Sequence, residues 1–503
     1  MAEAMAQTTP DVKGPMTTTD SGALTSGSGP SESPSDRRIL RRQVLVVSGL
    51  AIAVAVFLIT YAERHGFFDL RVYHGAINYW VHDGGSLYDF VLPFSTYGFT
   101  YPPFAALVML PMAITPWTLA IVITCIACAV VSAVLVYWLI DPVARREGWT
   151  RWYAFAIAMC FAAAFEPLRE TFLFGQVNMF LVFMVAADLL LFTSKGSRFG
   201  GIGIGLATAI KLTPGIFIVY LLVTKRWRAA IVASGTAAVA SIVAAALAPD
   251  DSRVFWTDAL WNTDRIGAVA FISNQSLNGA VARMHAANPS TALWLVSAAA
   301  VMVWWVVRVR RTAAAGDEMT GFALTGIVGC LVSPITWIHH LVWVGPALLL
   351  LLDNALVATS PRRRKQLLAL MIFSYVVLCS RFVWNYHDSW GNPVSWFFSN
   401  SYVWVSLALF LVLPIRQVRG ARRRLSIEPG MPAGHETSAE SVSADPVAAV
   451  AAADAEGKTE PDPRRLNGHF AGTLEGVRAP DAVISEAVPL VEGSRPSVAL
   501  EHP

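Results

Sequence analysis

Long apolar segments recur through most of the chain, and short clusters of lysine and arginine separate them. The first segment covers residues 44–62 and follows four arginines at positions 37, 38, 41 and 42. A stretch of about 20 apolar residues matches the thickness of the hydrocarbon core of a bilayer. Hydrophobic residues make up 55% of the sequence and charged residues only 15%, which is too apolar for a soluble domain. The chain is therefore predicted to be an all-α, polytopic membrane protein that has the lipid bilayer as its main solvent.

The basic clusters predict how these segments are oriented. Cytoplasmic loops carry an excess of lysine and arginine, so the four arginines before the first segment place the N-terminus in the cytoplasm. The segment at residues 201–223 fits this rule only as a hairpin of two short arms, and Lys211 and Pro214 interrupt it at a suitable point. With both arms counted, we expect about twelve transmembrane or re-entrant helices and two cytoplasmic termini.

The two ends of the chain differ in composition from its centre. Residues 1–36 are rich in Thr, Ser, Gly and Pro, and residues 425–503 are rich in Ala, Glu, Asp, Pro and Ser. Neither stretch has enough large apolar residues to form a core, so both are predicted to be disordered cytoplasmic extensions of a membrane domain at residues 37–424. The net charge is only +3, which gives no support to a nucleic-acid partner.

The predicted orientation sorts the polar residues by the side of the membrane. The cytoplasmic loops hold little besides basic clusters, whereas the outer side carries Asp69, Arg71, Tyr73, His74, Glu166, Arg169, Glu170, Gln176, Asn178, Asn274, Gln275, Asn278, His339 and His340. Lys211 is the single strongly charged residue deep in an apolar stretch. A charge at such a depth is costly, which makes Lys211 a functional candidate. The alternative is a lysine near a misplaced boundary whose ammonium extends to the interface.

A carboxylate, cations and aromatic rings at the outer membrane surface suit sugar transfer from a lipid phosphate. The carboxylate can deprotonate an acceptor hydroxyl, the cations can hold the leaving phosphate, and the aromatic rings can stack on sugar faces. Acyl chemistry has less support because the sequence lacks a Gly-x-Ser-x-Gly elbow. A cytosolic nucleotide donor has no support either, because no Gly-x-x-x-x-Gly-Lys-Ser/Thr loop is present. A lipid or polyprenyl-phosphate-sugar flippase would use similar groups without a base and stays an alternative.

Seven short motifs, in order along the chain, give it a family resemblance. They are Phe-Asp-Leu-Arg-Val-Tyr at 68–73, Leu-Tyr at 87–88, Phe-Thr-Tyr-Pro-Pro at 99–103, Gly-Gln-Val-Asn at 175–178, Lys-Leu-Thr-Pro at 211–214, Ser-Asn-Gln-Ser-Leu at 273–277 and Ser-Pro-Ile-Thr-Trp-Ile-His-His at 333–340. In these motifs the chain resembles glycosyltransferase family 87, a group of polyprenol-phosphate-mannose-dependent α-(1→2)-mannosyltransferases of mycobacteria and relatives. The resemblance spans roughly residues 37–424 and implies a GT-C-type fold with an extracytoplasmic active-site cavity.

The resemblance also implies a reaction. The donor would be a polyprenyl-phosphate mannose such as decaprenyl-phosphate mannose, and the acceptor a phosphatidylinositol mannoside, lipomannan or lipoarabinomannan. Asp69 matches the family's catalytic aspartate in the first outer loop. Transfer from a β-linked donor to an α-linked product inverts the anomeric carbon, which calls for one base and no covalent nucleophile. A related GT-C transferase that uses decaprenyl-phosphate arabinose is disfavoured by the motifs but stays open.

Roles for the remaining candidates follow from this reaction. Donor binding is expected from Arg71, Tyr101, Lys211, His339 and His340, and acceptor binding from Tyr73, Glu166, Arg169, Gln176, Asn178, Asn274 and Gln275. The outer carboxylates include no Asp-x-Asp pair, the commonest device by which a glycosyltransferase holds a divalent ion. A monophosphate leaving group can instead be neutralised by lysine, arginine and histidine. We therefore expect no metal and no cofactor.

This expectation predicts the effect of chelation. Mannose transfer by the detergent-purified protein should continue unchanged in excess EDTA, because no step requires a divalent ion. The measurement is the rate of product formation with EDTA alone and after addition of Mg²⁺ or Mn²⁺. Activity that is lost on chelation and restored by either ion would contradict the expectation.

Overall fold

Helices carry almost all of the regular structure in the computed structural model, which describes residues 34–61, 65–262, 267–386 and 392–417. Within these ranges there is no strand, only an isolated antiparallel bridge between Val91 and Gly98. The predicted extensions at residues 1–36 and 425–503 lie outside the described residues, except that the first helix already begins at Pro34. Backbone groups in a bilayer must bond to one another, and helices achieve this within each segment.

The helices of the described residues are numbered here in chain order. The first nine are α1 (Pro34–Tyr61), α2 (Phe68–His82), α3 (Pro103–Met109), α4 (Trp117–Arg146), α5 (Arg151–Ala164), α6 (Glu166–Phe174), α7 (Asn178–Ala187), α8 (Ile202–Ile210) and α9 (Ile216–Val223). The other nine are α10 (Trp227–Leu247), α11 (Pro249–Val254), α12 (Leu277–Ala282), α13 (Thr291–Ala315), α14 (Glu318–Val332), α15 (Gly345–Leu356), α16 (Pro361–Cys379), α17 (Pro393–Ser399) and α18 (Ser401–Val412). Short 3₁₀ or π turns cover Leu110–Ala113, Asp188–Thr193, Thr213–Gly215, Phe255–Ala259, Ile338–Val344 and Phe382–Tyr386.

Several of these helices are long and apolar enough to cross a membrane. Five qualify in the described ranges, at Ser35–Thr60, Trp117–Arg146, Trp227–Leu247, Thr291–Ala315 and Ile338–Leu356. Two sharply bent helix pairs raise the number to seven if each pair is one span. Shorter apolar helices at Pro103–Ala113, Arg151–Ala164, Thr213–Val223 and Glu318–Val332 lie among them. The predicted all-α polytopic membrane fold is confirmed, and the chain is a multi-pass membrane protein.

Helix α1 shows how the apolar surface is arranged. None of its most apolar window is buried inside the protein, and the side chain of Ile59 is 81% exposed. The helix packs against α5, where Gln43 Nε2 donates a 2.9 Å hydrogen bond to Thr150 Oγ1. An apolar surface of this size is stable against lipid and unfavourable in water.

The interior is formed mainly by α7, α8, α9, α14, α15 and α18, with the turn at Ile338–Val344. Three aromatic rings meet at its centre, where Phe217 lies 5.7 Å from Phe322 and 5.3 Å from Trp343 between ring centroids. A second apolar cluster joins α2 and α3 to the loop between them and includes Leu70, Tyr88, Phe99, Tyr101 and Phe255. The polar residues of interest lie where these two clusters approach each other.

Helix α8 ends at the predicted interruption. Lys211 follows its last residue with an extended backbone, φ −148° and ψ 131°, and Pro214 lies in the next turn before α9 begins. The position of α8 is fixed by a close contact with α10 at Gly205. A Cβ atom on Gly205 would lie 2.5 Å from the carbonyl oxygen of Ala233 and 2.6 Å from Thr236 Cβ. Small residues of this kind allow membrane helices to approach closely.

This contact predicts a difference between two glycine substitutions. Gly205→Ala should force α8 and α10 apart, destabilise the protein by about 1–3 kcal/mol and displace Lys211. Gly235→Ala in α10 is the matched control, because a Cβ there meets no atom within 4 Å. That change should be neutral or slightly stabilising, since alanine favours a helix over glycine by about 1 kcal/mol. Thermal unfolding of the purified variants measures both effects, and equal stability of the two variants would contradict the prediction.

Candidate active site

Asp69 lies in the first turn of α2, directly after a backbone kink. Gly66 and Phe67 have positive φ angles of 59° and 56°, and the Phe67 amide donates to the carbonyl oxygen of Leu173 at 3.1 Å. This contact holds the start of α2 against α6. Burial raises the pKa of Asp69 from 3.8 to about 6, although a hydrogen bond from Gln176 acts to lower it. A carboxyl group with such a pKa is ionised at neutral pH and still basic enough to accept a proton.

A chain of hydrogen bonds leads from two tyrosines to one oxygen of Asp69. Gln176 Nε2 donates to Asp69 Oδ2 at 2.6 Å, so Gln176 Oε1 is left as the acceptor for the Tyr101 hydroxyl at 3.1 Å. Because the Tyr101 proton is used in that bond, the Tyr73 hydroxyl must donate to the Tyr101 oxygen, 2.9 Å away. Asp69 Oδ1 makes no hydrogen bond with any described residue. One carboxylate oxygen is therefore anchored and the other can accept a proton from a substrate.

A break between two helices brings Gln176 and Asn178 into this site. The helices Glu166–Phe174 and Asn178–Thr193 meet at an angle of 118°. Gly175 forms the corner with φ 70°, and a Cβ atom there would lie 2.6 Å from Leu70 Cβ. Only glycine combines this backbone conformation with such a close approach to α2. The corner therefore places the amides next to the start of α2.

Lys211 enters the same site from the end of α8. Its Nζ atom lies 3.2 Å from the Tyr101 oxygen, 3.0 Å from Asn178 Oδ1 and 3.0 Å from His340 Nε2. The Nζ atom is also 5.0 Å from the centre of the Tyr101 ring. Tyr101 and Gln176 thus connect Lys211 to Asp69 through hydrogen bonds. Lysine, histidine and amide groups that converge in one place can bind an anion such as a phosphate.

His339 and Arg71 take positions different from that of His340. The His339 ring centroid lies 4.6 Å from that of His340 and 5.3 Å from that of Phe174. Its carbonyl oxygen accepts from Asn178 Nδ2 at 3.3 Å, so the His339 backbone helps to orient Asn178. Arg71 Nε donates to the carbonyl oxygen of Gly66 at 2.8 Å, and its guanidinium lies over a tryptophan ring. Arg71 does not take part in the network around Lys211.

Glu166 and Arg169 lie in α6 but make contacts outside the hydrogen-bonded network. The Glu166 side chain is fully buried and accepts from Trp384 Nε1 at 3.0 Å and from the Tyr402 hydroxyl. Arg169 is buried too, donates to a backbone carbonyl oxygen at 3.3 Å and lies over the Phe57 ring of α1. These contacts join α6 to α1 and α18.

Asn274 and Gln275 are fully buried and bond to backbone groups. Asn274 Oδ1 accepts from the Thr336 amide at 2.9 Å, and Gln275 Nε2 donates to the carbonyl oxygen of Ser399 at 2.9 Å. Arg283, which sequence reasoning missed, donates to the Asn274 carbonyl oxygen at 2.9 Å. The signal available in the sequence was a lone arginine at the end of a short apolar stretch. Together these residues hold the chain that leads to His340.

His65 is a second residue that the sequence did not single out. Its Nε2 atom lies 2.8 Å from Glu170 Oε2, and its ring stacks on Phe174 with the centroids 4.1 Å apart. His65 follows the first apolar segment directly, which is the only sequence feature that places it near Asp69. In the described part of the chain, no group of three or more His, Cys, Asp or Glu side chains is arranged to hold a metal ion.

A carboxylate with one open oxygen and a lysine that share one hydrogen-bonded network are groups that suit a membrane-embedded transferase. Comparison with known proteins gives the family. Residues 99–334 match the family model described as glycosyltransferase family 87. The chain belongs to glycosyltransferase family 87.

Three relatives that align with most of the chain support this family assignment. A polyprenol-phosphate-mannose-dependent α-(1-2)-phosphatidylinositol mannoside mannosyltransferase of Mycobacterium tuberculosis is 31% identical over 75% of this chain and 91% of its own length. The protein of the same description from Mycolicibacterium smegmatis is 31% identical over 69% of this chain and 83% of its own length. A phosphatidylinositol pentamannoside mannosyltransferase of M. smegmatis with the same donor dependence is 33% identical over 65% and 80% of the two chains. No solved structure matches the chain.

The carboxylate environment predicts the pH dependence of the reaction. Protonated Asp69 cannot accept a proton, so kcat/KM should show an acid limb and fall as the pH drops through about 6. Gln176→Leu removes a hydrogen bond that stabilises the ionised form, which should move this acid limb upward by about one pH unit. Gln43→Leu makes the same change at the α1–α5 contact and should leave the profile unaltered. An acid limb near pH 4, or identical profiles for both variants, would contradict the assignment.

Proposed function

We propose that the chain is an inverting mannosyltransferase that forms an α-(1→2) linkage, with Asp69 as the general base. The donor is a polyprenyl-phosphate mannose and the acceptor a phosphatidylinositol mannoside or a larger glycolipid derived from it. The observation that carries the proposal is the state of Asp69, whose carboxylate is partly desolvated, anchored through Oδ2 and open at Oδ1. The relatives support the identity of both substrates.

The reaction uses this carboxylate once. Asp69 Oδ1 takes the proton of an acceptor hydroxyl while the hydroxyl oxygen forms a bond to the anomeric carbon of mannose. The bond between that carbon and the phosphate oxygen breaks, and its electron pair stays on the phosphate. Attack from the face opposite the phosphate inverts a β-linked donor into an α-linked product. A single base is sufficient because no covalent sugar–enzyme intermediate forms.

Lys211 and His340 are proposed to hold the phosphate, together with the polar groups of Asn178 and Tyr101. A phosphodiester carries one negative charge, and the charge on the phosphate increases as the bond to mannose breaks. Donors that are already in place stabilise this developing charge without reorganisation. Tyr73 and Gln176 lie beside Asp69 and can contact the acceptor. We assign Glu166, Arg169, Asn274 and Gln275 to the scaffold of the site, because their side chains bond to internal groups, and Arg71 and His339 to its margin.

The site is proposed to face the extracytoplasmic side, with both termini in the cytoplasm. The basic cluster at Arg37–Arg42 precedes α1, and excess positive charge of this kind remains on the cytoplasmic side. Asp69 follows the other end of α1 within about ten residues. Helix α1 is long enough to cross the bilayer, so this arrangement supports an outward-facing base.

The central experiment replaces Asp69 in the reconstituted enzyme. Asp69→Asn should reduce mannose transfer by about 10²–10⁴-fold, since an amide cannot accept the hydroxyl proton. Asp83→Asn is the matched control, because Asp83 is exposed at the other end of α2. It should retain normal turnover. The measurement is incorporation of labelled mannose from decaprenyl-phosphate mannose into phosphatidylinositol mannosides.

Three outcomes would reject the proposal. Near-normal turnover of Asp69→Asn would show that Asp69 is not the general base. Faster transfer from decaprenyl-phosphate arabinose than from the mannose donor would favour an arabinosyltransferase. Movement of labelled donor across a vesicle membrane without any glycolipid product would favour a flippase.

A further inference from the structure

The hydrogen-bond partners of Lys211 restrict its protonation state. Asn178 Nδ2 donates to the His339 carbonyl oxygen, which leaves Asn178 Oδ1 as an acceptor facing Lys211 Nζ at 3.0 Å. The Tyr101 hydroxyl proton points to Gln176, so the Tyr101 oxygen also acts as an acceptor for Nζ at 3.2 Å. Two N–H groups of Lys211 therefore have acceptors.

The third neighbour of Nζ is a donor. His340 Nδ1 accepts the backbone N–H of Trp337 at 3.1 Å, an arrangement that fixes the ring at the start of the turn Ile338–Val344. A neutral imidazole with an acceptor at Nδ1 carries its proton on Nε2. This Nε2–H group points to Lys211 Nζ at 3.0 Å. An ammonium group has three donors and no acceptor, so a protonated lysine would place two donors face to face.

An unprotonated amine satisfies all three contacts. It has two N–H groups, which suit Asn178 and Tyr101, and one lone pair, which accepts the Nε2–H group of His340. Burial adds to this preference, because a charge in a partly desolvated place is unfavourable without an ionised partner. No carboxylate among the described residues forms an ion pair with Lys211.

We infer that Lys211 is an unprotonated amine in this hydrogen-bonded arrangement and takes up one proton when the phosphate of the donor binds. The inference rests on the proposed function for the identity of the donor. The proton comes from solvent and attaches to the Nζ lone pair, and no other covalent bond changes. The new N–H group and the released Nε2–H group of His340 then both have a phosphate oxygen as acceptor. Donor binding is therefore coupled to the gain of one positive charge on Lys211.

Other titratable groups lie around Lys211, and one of them could take up a proton on donor binding in its place. They are Asp69 from α2, Tyr101 before α3, Cys330 from α14, and His339 and His340 from the turn that precedes α15; His65 lies further out, beside Asp69 and His339. Asp69 could bind a proton as the phosphate approaches, and any of the three histidines could do so. The test must therefore separate lysine from carboxylate and imidazole.

Calorimetry of donor binding provides the test. The probe is a short-chain prenyl phosphoryl mannose, a phosphodiester that does not itself titrate near neutral pH, added to the full-length protein in detergent without acceptor. Binding enthalpies measured at pH 8.5 in two buffers of different ionisation enthalpy give the number of protons taken up. We expect about one proton for the wild type and for Asp69→Asn, and none for Lys211→Arg, which is always charged. The dissociation constant should rise about tenfold per pH unit for the wild type and stay constant for Lys211→Arg.

The outcomes separate this inference from the proposed function. Binding of the probe by the wild type without proton uptake would overturn the inference and leave the mannosyltransferase intact. Uptake that persists in Lys211→Arg, or disappears in Asp69→Asn, would assign the proton to another group and also overturn it. Failure of the wild type to bind the mannose probe would instead count against the proposed function.

A second measurement needs no variant. Competitive reductive methylation, analysed by mass spectrometry of the peptides, gives the pH at which each lysine becomes reactive. Lys211 should reach half of its maximal labelling at a lower pH than exposed Lys195, and the phosphodiester should suppress this labelling. The same half-point for Lys211 and Lys195 would overturn the inference.

Discussion

The site depends on a hydrogen-bonded connection between two ionisable side chains that form no ion pair. Asp69 and Lys211 approach from different helices, and Gln176 and Tyr101 join them through contacts of 2.6, 3.1 and 3.2 Å. Isolated ionisable groups are costly to bury, and hydrogen bonds that favour the required form offset part of this cost. The connection fixes both side chains while it leaves Asp69 Oδ1 open. The proposed transfer reaction needs a base that is held rigidly next to an anion-binding group.

Two interruptions in apolar helices make the connection possible. A continuous membrane helix satisfies its own backbone, so it offers polar groups only through side chains, whereas a break also redirects the chain. At the first break Gly175 turns the chain, and the backbone N–H of Gln176 still donates to the Thr171 carbonyl oxygen at 2.9 Å. At the second break the backbone N–H of Lys211 donates to the Ala207 carbonyl oxygen at 3.0 Å. The backbone therefore stays satisfied where the helices end, and the side chains at the breaks are free to face the site.

Residues that are chemically unusual for their position could be selected from the sequence as candidates for the site. Lys211 is a charge in an apolar segment, and with Pro214 it indicated the end of α8 correctly. Asp69 follows a membrane span and belongs to a family motif, which was enough to select it. The membrane class and the family could be predicted for similar reasons, since apolar length and motif order are properties of the sequence itself.

The partners of these residues could not be predicted. Gln176 is 107 positions from Asp69, and His340 is 129 positions from Lys211, so their contacts depend on how the helices pack. The same limit applies to Glu166 and Asn274, which were grouped with the site because they are polar and lie on the outer side. A polar side chain in such a segment can bond to substrate or to the protein's own backbone, and sequence alone does not distinguish these cases.

The separation of Asp69 from Lys211 has a chemical consequence. A direct ion pair would stabilise the carboxylate, lower its pKa and make it a weaker base. The intervening amide of Gln176 stabilises the carboxylate less than a full positive charge would, and burial raises the pKa to about 6. In the proposed reaction Asp69 is ionised and Lys211 charged when the sugar is transferred, and this separation allows the pKa of each group to be set independently. In that reaction negative charge grows on the phosphate as the hydroxyl proton reaches Asp69, so the proposal requires the positive charge at the Lys211 end of the network and not beside the carboxylate.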